Sequence, residues 1–266
     1  MYRELILGPV RRIRRRRQMQ QAAAGWSTDV AGWAQDQLGF AADAIQRDLL
    51  QASEKRLILN CTRQWGKSTV TAVKVVHRAY FEPGSLIVVI SPSLRQSGEF
   101  VDKADEFLSK LGIKAKGDGH NAVSRVLPNG SRIVGLPGTE GTIRGYSAAS
   151  LVVIDEASRV SDEQYKAVMP MLAVRDGGLW LMSTPRGKRG FFYRVWANDG
   201  EEWKKVIVPA TECPRIRPEF LEWQKTEMGE DWFGQEYLCQ FVDVEDTLFD
   251  RDVLTQAVRS DVRPLF

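Results

Sequence analysis

Gly66-Lys67-Ser68 are residue types that hold a phosphate: a glycine that lets backbone approach an anion, a lysine that reaches its oxygens, and a hydroxyl that can join a magnesium shell. They close the stretch LNCTRQWGKST (59–69), in which Cys61 stands where the G-x-x-x-x-G-K-[S/T] pattern has its first glycine, and Arg63 lies inside the loop. The apolar run 56–60 reads as a strand and residues 67 to about 80 read as a helix. The backbone N–H groups of Gly66, Lys67 and Ser68 therefore fall at a helix N-terminus, where anionic oxygens are favoured. On this reading Lys67 reaches the β- and γ-phosphates and Ser68 binds Mg²⁺.

A second group lies 88 residues downstream of Lys67. Four apolar residues, 151–154, form a strand that ends in Asp155-Glu156. The aspartate suits Mg²⁺, and the glutamate can accept a proton from an attacking water. A doubled acid points to ATP hydrolysis rather than to a GTP switch, and no N-K-x-D guanine-reading motif is present. Two further features fit the same site. Gln46, on the helix before the loop strand, could pair with the N6/N7 edge of adenine. Ser183-Thr184, at the tip of the strand after the acids, could sense the γ-phosphate or couple it to a moving lid.

These residues must be positioned by an α/β framework. Strands are expected at 56–60, 86–91, 150–158 and 178–185, helices at 33–51, 67–80 and through SLRQSGEFVDKADEFLSKLG, and a hairpin turns at Pro128-Asn129-Gly130. Strands alternating with helices imply a mostly parallel sheet. The expected fold is a three-layer P-loop NTPase of the ASCE or RecA-like type. Its domains are an arginine-rich arm over 1–25, an ATPase core over 26–189, a helix-rich lid over 190–250 and the start of a connection over 251–266.

Composition narrows the function. The 266-residue chain carries a net charge of only +3, and residues 1–20 hold seven arginines against one glutamate, which leaves the remainder at −3. The body is therefore not a general nucleic-acid binder; any DNA contact must come from a local patch or from the run RRIRRRR (11–17), which reads either as a solvated flexible tail or as a phosphate-contacting arm that would release several counterions. Three scattered cysteines and two histidines lack zinc-ligand spacing and suit a reducing, cytosolic setting. The longest apolar runs are strand-sized, so no membrane span is expected.

Taken in order, TRQWGKST (62–69), SPSLRQSGE (91–99), LPNGSRIVGLPG (127–138), TIRGYSA (142–148), LVVIDEAS (151–158), STPRGKRGFFY (183–193) and QEYLCQFVD (235–243) resemble the N-terminal ATPase of tailed-bacteriophage terminase large subunits. The resemblance covers roughly 35–250. It accounts for the altered loop, since this family lacks the first glycine and carries Arg-Gln there. It implies that Thr62, Arg63, Gln64, Trp65, Gly66, Lys67, Ser68 and Thr69 surround the nucleotide, that Arg63 contacts the γ-phosphate, and that Arg144 serves a neighbouring subunit as an arginine finger. It further implies ATP and Mg²⁺ as cofactors, double-stranded DNA as cargo, and a homo-oligomeric, pentameric ring on the portal protein. A small terminase subunit is a further implied partner, and the location is the host cytoplasm, transiently docked on a procapsid. Complete family members continue into a nuclease domain; this chain stops at Phe266, and its acidic stretch (Asp243, Glu245, Asp246, Asp250) matches the interdomain connection, so no nuclease activity is expected from it. Rival readings are a superfamily-2-like helicase or translocase, and a non-catalytic module that binds ATP to dock on a partner.

Overall fold

A computed structural model describes residues 25–121, 123–138, 145–198, 200 and 202–243. Seven strands form one sheet: β1 (Arg56–Cys61), β2 (Leu86–Ser91), β3 (Ser124–Val126), β4 (Arg132–Pro137), β5 (Leu151–Asp155), β6 (Gly178–Ser183) and β7 (Lys204–Val208). Their order is β3-β4-β2-β5-β6-β1-β7, and every pairing except the β3–β4 hairpin is parallel. β6 thus separates the loop-bearing β1 from the acid-bearing β5.

Both sheet faces are covered, which is why the central strands read as unbroken apolar runs. Leu57, Leu59, Val89, Val153 and Trp180 pack under α1 (Val30–Leu38), α2 (Ala44–Gln51), α3 (Lys67–Phe81) and α4 (Leu94–Lys110). Ile58, Val88, Val152, Ile154 and Leu181 face α5 (Asp162–Leu172) and α6 (Gly190–Ala197). The result is the expected three-layer α/β fold. Beyond β7 lie α7 (Pro218–Met228) and α8 (Glu230–Leu238), which close a small core of their own around Ala210, Leu221 and Phe233.

Two expectations need correction. The helix expected over 33–51 is two helices: Gly39 takes a left-handed φ of 62° and ends α1, and Asp43 with Gln46 makes a capping box that starts α2. The lid boundary expected at 189/190 falls before β7, a strand of the main sheet that pairs with β1. Its burial pattern is weak because it is an edge strand, so its sequence lacks the apolar signature of the central ones.

The face beneath α1 holds a buried histidine. His77 bonds the Trp26 carbonyl at 2.8 Å and meets Trp33 edge-on at 5.1 Å. Burial, helped by Lys74 and Arg78 and opposed by the Trp26 carbonyl, lowers its pKa from 6.5 to about 4. The neutral form is the one that fits. Above pH 6.5 neither folded nor unfolded chain is protonated there, and no cost arises. Between 6.5 and about 4 only the unfolded chain takes the proton, so stability should fall by up to about 3 kcal/mol from this group. Denaturant titrations at pH 7 and pH 4.5 should show this loss in the wild type and a smaller one in His77→Gln; equal losses would rule His77 out as the source.

Candidate active site

β1, β6 and β5 run parallel with their ends level: Asn60 is opposite Ser183, and Asp155 is opposite Met182. The phosphate loop, the two acids and the Ser183-Thr184 pair therefore emerge at one edge of the sheet, the carboxyl end, where open α/β sheets bind ligands. Cys61 is still inside β1, opposite Val208, and its side chain is fully buried. Burial pushes its thiol pKa far above the ordinary value, so it is an inert core residue. The loop turns later, with left-handed residues at Gln64 (φ 65°) and Gly66 (φ 95°). Glycine matters at 66: a Cβ there would lie 3.4 Å from Gln46 Nε2, in a backbone region side chains avoid.

Four side chains meet at this edge. Lys67 Nζ pairs with Glu156 Oε1 at 2.9 Å, and the Ser68 hydroxyl donates to Asp155 Oδ2 at 3.3 Å. Glu156 ends the strand in a left-handed turn (φ 51°), and its N–H donates to Asp155 Oδ1 at 2.9 Å. That strained turn points the two adjacent acids to different partners. Burial raises the Asp155 pKa to about 6, with Lys67 pulling it down and Glu156 adding to the rise. Burial also disfavours charge on Lys67, but the carboxylates of Glu156, first, and Asp155 outweigh it and hold its pKa above the ordinary value. A serine hydroxyl beside a buried carboxylate suits a hard divalent cation, and Mg²⁺ commonly takes one or two carboxylates and completes its shell with phosphate oxygens and water. Among the described residues no cluster of three or more His, Cys, Asp or Glu forms a cage, so a Mg²⁺ here would depend on the nucleotide's oxygens.

Gln46, Thr62, Trp65, Ser183 and Thr184 are buried beside this edge. The Trp65 indole is fully buried in the core, and its carbonyl accepts from Gln46 Nε2 at 3.2 Å and from Arg215 Nη2. Gln46 is buried as well, with Oε1 accepting the Asp43 N–H at 3.2 Å. The amide expected to read adenine is here bonded to the loop and to its own helix cap. Arg63 Nε pairs with Glu236 Oε2 of α8 at 2.7 Å. Thr62 is buried; its N–H donates to Val208 O and its hydroxyl to Glu236 O. Ser183 donates to the Ser158 hydroxyl at 2.8 Å, which ties the strand tip to the turn after Glu156. Thr184 is buried, and the Thr69 N–H begins α3 by donating to Gly66 O. Arg144 lies outside the described residues.

A family described as terminase large subunit, T4likevirus-type, N-terminal, matches residues 58–256. The chain belongs to that family. The terminase large subunit of Thermus virus P23-45 is 24% identical over 241 residues, covering 77% of this chain and 50% of that protein. This terminase chain thus spans about half the length of the curated relatives it matches. A mutant ATPase domain of the Thermus phage P74-26 large terminase superposes with a TM-score of 0.70 at 20% identity, covering 78% of this chain and 97% of that one. The large terminase of a thermophilic bacteriophage, solved in complex with ATP-γ-S, gives 0.61 at 12% identity over 81% of this chain and 52% of that one. These likenesses establish the fold.

Within the terminase fold the structure adds residues that motif reading missed. An open cleft of about 430 Å³ above the loop is lined by Arg63, Gln64, Lys67, Gln96, Glu156 and Arg159. Gln96 sits in the SPSLRQSGE stretch and Arg159 directly follows DEAS, so their neighbourhoods were visible although their convergence was not. α8 and the segment after it form a second set. Asn60 Nδ2 donates to Cys239 O, the Gly187 N–H to Gln235 Oε1 and Lys188 Nζ to Asp243, all between 2.8 and 2.9 Å. These bonds fasten α8 and the segment after it to the end of β1 and to the stretch that follows β6.

Proposed function

We propose that this chain hydrolyses ATP with Mg²⁺ and that, in a pentameric ring on the portal, the cycle drives double-stranded DNA into a procapsid. The observation that carries the reading is the quartet Lys67–Glu156 and Ser68–Asp155 at the end of parallel strands. Ser68 and Asp155 would hold Mg²⁺, which offsets charge on the phosphate oxygens. Glu156 is the base for water. In the present arrangement its carboxylate is engaged by Lys67, so Lys67 must turn to the β- and γ-phosphates for Glu156 to act. Arg63 must likewise leave Glu236 to meet the γ-phosphate, and this exchange links nucleotide state to α8. The backbone N–H groups of Gly66, Lys67 and Ser68 receive the remaining oxygens. Arg144 completes the site of a neighbouring subunit, the small terminase subunit recruits the DNA, and the complex works in the host cytoplasm while docked on the procapsid.

Phosphate release measured with and without duplex DNA tests the reading. Turnover that is lost in Lys67→Ala, without strand separation, is the expected result. Strand unwinding by the isolated chain would favour a helicase, and nucleotide binding without turnover would favour a docking module. Mixing Arg144→Ala with Lys67→Ala chains should restore part of the activity, since an arginine finger contributes roughly 10³–10⁵ in rate. No recovery at any mixing ratio would remove the trans role.

A further inference from the structure

Arg159 occupies a position in the cleft that the reading above does not use. Glu156 turns the chain left-handed, and Ala157–Arg159 continue as one 3₁₀ turn in which the Arg159 N–H donates to Glu156 O at 2.8 Å. Arg159 is thereby held one turn from the proposed base, on the wall of the same cleft. Each of the other two cations lining that cleft already has a carboxylate: Lys67 is paired with Glu156 and Arg63 with Glu236. The Arg159 guanidinium is exposed, and none of the described residues offers it a carboxylate or other acceptor. Gln64 and Gln96, the remaining lining residues, are neutral; Gln96 Oε1 accepts the Ser93 hydroxyl at 2.9 Å. Along the described cleft, Arg159 is therefore the cation whose charge is not already balanced.

Resting on the ATPase reading, we propose that Arg159 contacts the γ-phosphoryl from within the same subunit and stabilises the charge that develops on it during hydrolysis. A planar guanidinium with several donors suits that role, because it can hold two phosphoryl oxygens at once. Among the described residues it has no partner to give up, whereas Lys67 and Arg63 must each release a carboxylate. The residue is thus ready for nucleotide before the loop rearranges, and it discriminates nucleotides that carry a γ-phosphate from those that do not.

The test compares wild type, Arg159→Ala and Arg159→Lys for ATP turnover, for equilibrium affinity toward ADP and ATP-γ-S, and for thermal unfolding. Arg159→Ala should lower kcat by roughly 10²–10³-fold, the range seen when one donor to a developing charge is removed. It should weaken ATP-γ-S at least tenfold while ADP affinity changes less than twofold, at an unchanged Tm. Arg159→Lys should recover part of both losses. An Arg159→Ala chain with wild-type kcat and a wild-type ratio of ATP-γ-S to ADP affinity overturns the proposal, as does an equal loss of both nucleotides. If the wild-type chain itself binds neither nucleotide, the ATPase reading has failed, and the unsubstituted control shows that this is the cause.

Discussion

Glu156→Gln should leave ATP bound and lower turnover by roughly 10²–10⁴-fold, the contribution of a positioned general base. The substitution keeps the shape of the side chain and the left-handed turn, and it removes the carboxylate that would take the proton from water. It also removes the charged partner of Lys67, a 2.9 Å contact between two largely buried side chains. With that competitor gone, Lys67 meets the phosphates at less cost, so ATP affinity should hold or rise. Single-turnover phosphate release together with an equilibrium nucleotide titration separates the two effects. Wild-type turnover in Glu156→Gln would end its assignment as the base. A loss of affinity as large as the loss of rate would mean that Glu156 organises the loop instead.

The largest stability effect is expected at Trp65. It lies between Gln64 and Gly66, in the middle of the phosphate loop, yet its side chain is fully buried in the core under α1–α4. Trp65→Ala should cost about 3–5 kcal/mol, as large-to-small changes at buried aromatic positions do. The indole Nε1–H is buried with no hydrogen-bond partner among the described residues, a defect that phenylalanine would not have. Trp65→Phe should therefore cost much less, within about 1.5 kcal/mol, because lost volume is partly offset by removal of the unpaired donor. Since the Trp65 carbonyl is held by Gln46 and Arg215, the alanine variant should also lose nucleotide affinity by tenfold or more, with the phenylalanine variant close to wild type. Denaturant unfolding and nucleotide titration check both statements. An alanine variant as stable as wild type would show that the indole does not anchor the loop.

The loop and the two acids were legible because each obeys a local rule. A glycine-lysine-serine after an apolar run needs only the next helix to aim its N–H groups, and four apolar residues before two acids need only a strand. Cys61 was legible as a departure, and the structure supplies its physical basis: the position belongs to β1 and packs into the core, so no glycine freedom is needed there. Gln46 was visible, but its bonds to the cap and to the loop were not read from its position. The Asp43-x-x-Gln46 spacing is a capping-box signature, and it commits the amide to backbone. β7 was missed because an edge strand half open to solvent carries little apolar pattern.

Sequence alone determined the chemistry available at each point: which residue types could cradle phosphate, ligate a cation or take a proton, and that strands and helices alternate around them. These depend on neighbours a few positions apart. The tertiary structure alone decided which of those groups face one another. The β5–β6–β1 order brings Glu156 to Lys67 and Asp155 to Ser68 across 87 or more residues of chain. The return of α8 gives Arg63 a carboxylate at Glu236, and the turn after β5 places Arg159 in the same cleft, where none of the described residues pairs with it. Contacts of that kind depend on strand order and crossover, and no local pattern encodes them.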